Sequence, residues 1–169
     1  MRSLNDPWTL AGIELPNRLV LAPLAGIGNW FVRLQAKRHG AGLVVSEMVS
    51  SFGLSYGNER TVDQFLRIHP EEHPVSMQLF GHDADVMREA AAMVAEAGAD
   101  IVDLNMGCPV RKVCKTGAGA ALLDDPDKAV AIATGGWAHA IVPHCEQIDE
   151  LDDLLTLKGL RLIWEKNRP

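Results

Sequence analysis

Asp103-Leu104-Asn105-Met106-Gly107-Cys108-Pro109-Val110-Arg111-Lys112-Val113 decides how this chain is read. The apolar run Ile101 to Leu104 enters a tight turn with a thiol, Cys108, at its tip between Gly107 and Pro109. An amide, Asn105, stands three residues upstream, and two cations, Arg111 and Lys112, follow closely. A strand that ends in this way carries polar chemistry to the rim of a sheet. In parallel α/β architectures that rim is where sites are built.

The same design recurs upstream. Leu19 to Leu24 is a short apolar run broken at Pro23, the signal of a buried strand. Leu43 to Val45 is a second strand, ending in Ser46-Glu47-Met48, and Val75 to Phe80 is a third, ended by Gly81. Between them lie helices. Asn29 is placed to cap a helix over Trp30 to Arg38, which Gly40 stops. The segment around Asn58-Glu59-Arg60 reads as loop and short helix. Asp83 caps a longer helix in which Val86, Ala90, Met93, Val94 and Ala97 recur at helical spacing before Gly98. Asp125 before Pro126 begins a further helix. Trp8 to Leu15 reads as a small hairpin. Strands alternating with helices imply parallel βαβ units with right-handed crossovers. The fold expected is α/β: a partial (β/α)8 TIM barrel of about four βα units over residues 1–133. A divergent tail, 134–169, follows, with room for one amphipathic helix.

Composition narrows the function. The chain has 169 residues, 47% of them hydrophobic, and a net charge of −6. It therefore has no general attraction to nucleic acid, and any such contact needs a local basic patch. No apolar run approaches the roughly 20 residues of a membrane span. Three cysteines at irregular spacing make neither a disulfide framework nor a zinc pattern, so a reducing, cytoplasmic setting with no metal is expected. His139 and His144 have no metal-ligand context, and Cys114 and Cys145 receive no role.

The four strand ends are Ala22-Pro23-Leu24-Ala25, Ser46-Glu47-Met48, Gln78-Leu79-Phe80-Gly81 and Asn105-Met106-Gly107-Cys108. Together with the continuation through Lys112-Val113 and Lys115 to Gly117-Ala118-Gly119-Ala120, they resemble the bacterial tRNA-dihydrouridine synthases. The likeness covers roughly residues 10–133. It implies a flavin enzyme that reduces uridine in tRNA to 5,6-dihydrouridine, with FMN as cofactor and NADPH as reductant. Cys108 matches the family's proton donor; an ordinary free thiol is mostly protonated at neutral pH. Asn105 matches a residue that hydrogen-bonds the target uracil. Pro23, Leu24 and Ala25 match a turn whose backbone approaches the flavin, and Gln78 a side chain bonded to the isoalloxazine. The target base must leave its stack to react, and Arg111 and Lys112 are placed to meet phosphate.

Other readings stay open at this point. Asn105 serves equally well to hold its own turn. Glu47 either braces neighbouring loops or touches the site. Gly117-Ala118-Gly119 is too loose for a phosphate loop, and close backbone packing is its simplest use. A full barrel has eight units and about 250 residues. Four units are expected to expose sheet edges and to favour self-association, and the chain is expected to be a truncated relative. The alternatives to the synthase reading are an inactive fragment of that family and a remnant that only binds tRNA.

Overall fold

A computed structural model describes residues 3–10, 12–57, 62 and 64–125. The segment Asn58-Glu59-Arg60, the start of the helix expected at Pro126 and everything expected of the tail lie outside these residues.

The chain opens with an antiparallel hairpin, β1 (Trp8–Leu10) and β2 (Ile13–Leu15), as its alternating pattern predicts. The parallel sheet follows: β3 (Val20–Leu21), β4 (Leu43–Val45), β5 (Val49–Ser50), β6 (Val75–Phe80) and β7 (Ile101–Leu104). Its helices include α1 (Trp30–Arg38), α2 (Ser51–Ser55), α3 (Ala84–Glu96) and α4 (Arg111–Cys114). Pairing runs β3 to β4 to β6 to β7 in chain order and always parallel. With β4 and β5 both lying along β6, each strand position neighbours the next in sequence, which is the progression of a βα barrel. The expected partial barrel is therefore the fold observed.

Local chemistry explains most boundaries. Asn29 Oδ1 accepts the N–H groups of Phe31 and Val32 at 3.1 and 3.2 Å, so α1 starts where expected. Asp83 Oδ1 does the same for Val86 at 3.0 Å in α3. Met77 and Leu79 of β6 pack with Val44 and Val49 against Leu54 of α2 and Met87, Ala90 and Val94 of α3. Each such fully buried side chain stabilises the fold by about 1.5–3 kcal/mol, which outweighs any single cap.

Three expectations are corrected. The first strand is two residues long rather than six, because Leu24 O accepts the N–H groups of both Ile27 and Gly28 and turns the chain early. Ser46-Glu47-Met48 does not end the second strand. Val45 pairs with Ser76 and Val49 with Leu79, so residues 46–48 oppose only 77 and 78. This is a bulge of one extra residue, and β5 continues the strand beyond it. Finally, the Cys108 motif leads into the short helix α4 and a 3-10 turn over Gly119–Asp124, neither of which the sequence reading anticipated.

Candidate active site

The side chains of β6 alternate between two faces. Val75, Met77 and Leu79 belong to the core shared with the helices, so Ser76 and Gln78 face the other way. In β7, Val102 and Leu104 pack on that same core, leaving Ile101 and Asp103 on the second face. Register places Gln78 directly opposite Asp103.

A continuous hydrogen-bond chain begins there. Gln78 Nε2 donates to Asp103 Oδ2 at 2.6 Å. Asn105 Nδ2 donates to Gln78 Oε1 at 2.9 Å. Asn105 Oδ1 in turn accepts the backbone N–H of Cys108 at 3.0 Å and that of Gly107 at 3.4 Å. Gln78 is 7% exposed and Cys108 half-buried. The structure thus joins three of the predicted site residues, Gln78, Asn105 and Cys108. It also shows that Asn105 holds its own turn.

The Cys108 turn is braced from below. Cys108 O accepts the N–H of Ala120 at 3.0 Å and the thiol of Cys114 at 3.3 Å. Gly119 sits against it with φ +61°, and a Cβ there would stand 2.7 Å from Cys108 O and 2.9 Å from Val113 Cγ1. Only glycine fits that contact and that backbone. The Gly117-Ala118-Gly119 run is therefore a packing device here, as its simplest reading had it.

Pro23, Leu24 and Ala25 lie in the turn after β3, on the same C-terminal rim. Pro23 and Ala25 are exposed and Leu24 is half-buried. The bulge holds this turn in place: Glu47 Oε2 accepts the N–H of Gly26 at 2.8 Å. Gly28 is enclosed, since a Cβ would meet Leu24 O at 2.9 Å and Glu47 N at 3.0 Å. Behind it, Arg33 donates to Gly28 O at 3.2 Å and to Arg67 O at 2.8 Å, and forms an ion pair with Glu72 at 2.7 Å. Arg33 and Glu72 are 1% and 0% exposed. Glu47 is thus a brace for the turn. Arg111 and Lys112 are exposed on α4, immediately after the Cys108 turn.

The sequence reading missed Asp103, Ser46, Arg33 and Glu72. Asp103 carried a legible signal, because strand alternation puts it on the face of Asn105. Ser46 did not: its hydroxyl accepts the N–H of Gln78 at 2.9 Å only because of the bulge. Among the described residues, no helix is long and apolar enough to cross a membrane.

A parallel βα sheet with an amide-anchored thiol turn at its C-terminal rim defines a βα-barrel protein whose candidate site stands at the strand ends. The dihydrouridine synthase (Dus) family model matches residues 20–143, and the chain belongs to that family. It is 43% identical over 153 residues to tRNA-dihydrouridine synthase B of Pseudomonas putida, covering 90% of this chain and 41% of that one. To a probable tRNA-dihydrouridine synthase of Rhizobium leguminosarum it is 40% identical over 156 residues, covering 92% and 44%. The chain thus spans less than half the length of these relatives. The family match runs ten residues past 133, the limit of the likeness read from the motifs. A variant of NCR from Zymomonas mobilis superposes with a TM-score of 0.50 at 22% identity, covering 78% of this chain and 56% of that one. That likeness speaks to the fold alone.

Proposed function

We propose that this chain forms the uridine-reducing site of a tRNA-dihydrouridine synthase, with FMN as its cofactor and NADPH as reductant. The carrying observation is the hydrogen-bonded run from Gln78 through Asn105 to the N–H of Cys108. It holds a thiol beside two oriented amides at the strand ends.

The residues fit a flavin edge. An isoalloxazine presents carbonyl oxygens and ring nitrogens along one side. Gln78 spends one amide hydrogen on Asp103, which leaves the second to donate to such an acceptor. The turn at Pro23 to Ala25 leaves backbone open, and at Gly26 nothing lies within 4 Å of where a Cβ would stand. When bound, FMN supplies the hydride for C6 of the uracil and is restored by NADPH. Cys108 then gives its thiol proton to C5, so that a hydride and a proton together saturate the bond. Asn105 orients the base. The uridine reaches this site by leaving its stack, while Arg111 and Lys112 meet the flanking phosphates. A tRNA substrate and free thiols at Cys108 and Cys114 favour the cytoplasm.

The test is direct. The purified chain, supplied with FMN, NADPH and unmodified tRNA, is expected to take up flavin. Its tRNA should gain two hydrogens per modified uridine by mass spectrometry. Protein that stays colourless and leaves tRNA unchanged removes the reading. Self-association belongs to the same proposal, since Leu19, next to the outer strand β3, and Val20, within it, are 42% and 47% exposed. A single monomeric boundary in sedimentation would exclude it.

A further inference from the structure

The hydrogen-bond chain at the rim has fixed ends. At one end stand the backbone N–H groups of Gly107 and Cys108, which only donate. At the other stands the Asp103 carboxylate, which accepts. Two primary amides lie between them, and an amide can turn either way. With these ends only one arrangement satisfies every contact. Asn105 must give its oxygen to the backbone and its NH2 to Gln78. Gln78 must then give its oxygen to Asn105 and its NH2 to Asp103.

We propose that Asp103 is a positioning residue that, with the backbone N–H groups at the other end, locks the polarity of both amides. Asn105 Oδ1 is occupied by two N–H groups, so the side chain offers a ligand one remaining N–H and no acceptor. The edge it recognises is therefore a carbonyl oxygen, not a ring N–H or an exocyclic amine. That consequence for the substrate rests on the uridine-reducing reading. The relay itself does not.

Substitutions that exchange the two end groups test this. Gln78→Glu places two carboxylates face to face where the structure has a 2.6 Å donor–acceptor contact. It is expected to lower Tm by roughly 5 °C. Asp103→Asn replaces the obligatory acceptor by an amide that can turn, leaving the backbone N–H groups alone to order Asn105 and Gln78. The side-chain amide signals of Asn105 in a ¹H–¹⁵N NMR spectrum should shift and broaden, with Tm nearly unchanged. The double variant, Asp103→Asn with Gln78→Glu, restores one amide and one carboxylate and keeps an acceptor facing Asn105. It should recover both Tm and the wild-type Asn105 signals. A residue that merely fills space would show no such rescue. Asn105 signals indifferent to Asp103→Asn, or a double variant no better than Gln78→Glu, would overturn the proposal. A wild-type chain that passes these tests yet forms no dihydrouridine removes the functional reading and leaves the relay standing.

Discussion

Replacing Cys108 by alanine is expected to lower dihydrouridine formation by about 10²- to 10⁴-fold, the usual contribution of a positioned general acid. Flavin uptake and its reduction by NADPH should be unaffected, because neither needs a proton at C5 of the base. The fold should also tolerate the change. Cys108 is half-buried, and its backbone, not its sulfur, makes the contacts to Asn105 and Ala120. Tm is therefore expected to stay within a few degrees of wild type. Cys108→Ser is the informative companion. It keeps an O–H of similar size but a far weaker acid, and should remain much closer to alanine than to cysteine. Turnover by Cys108→Ala within tenfold of wild type, on the same tRNA, would show that the proton comes from elsewhere.

The second large effect concerns stability. Arg33→Met is expected to destabilise the fold by about 3–5 kcal/mol, since it leaves the Glu72 carboxylate buried without its cation. Glu72 would retain only the N–H of His69, donated to Oε1 at 2.8 Å. Removing the charge as well, in Arg33→Met with Glu72→Leu, should return most of that loss, because a buried ion pair and a well-packed apolar pair are often close in stability. Function should not return with it. Arg33 also holds Gly28 O at 3.2 Å, at the base of the turn that carries Pro23 to Ala25. The double variant is therefore expected to unfold near the wild-type temperature and still bind flavin poorly. A single variant that costs under about 1 kcal/mol would contradict the account of a desolvated pair.

Much of the fold was legible because its signals are local. Asn29 and Asp83 cap their helices through N–H groups two and three residues away. Pro74 and Gly81 bracket the apolar run of β6, and its limits follow from those neighbours. Asn105, Cys108 and Gln78 were likewise visible as polar groups at strand ends, and the structure brings the three together. The β3 boundary was not legible, because a carbonyl of the following turn, Leu24 O, ends the strand by accepting two N–H groups.

What the sequence by itself determined, then, is the alternation of the main strands with α1 and α3, the caps, the Cys108 turn and the family likeness. Each depends on residues within a turn or two of one another. Only the tertiary structure decided what the site residues do to each other. Gln78 and Asp103 are 25 residues apart, and Arg33 and Glu72 are 39 apart. The bulge at residues 46–48 exists only relative to β6. The direction of an amide and the partner of a buried charge are properties of pairs. Register and crossover create those pairs, and no single stretch of chain contains them.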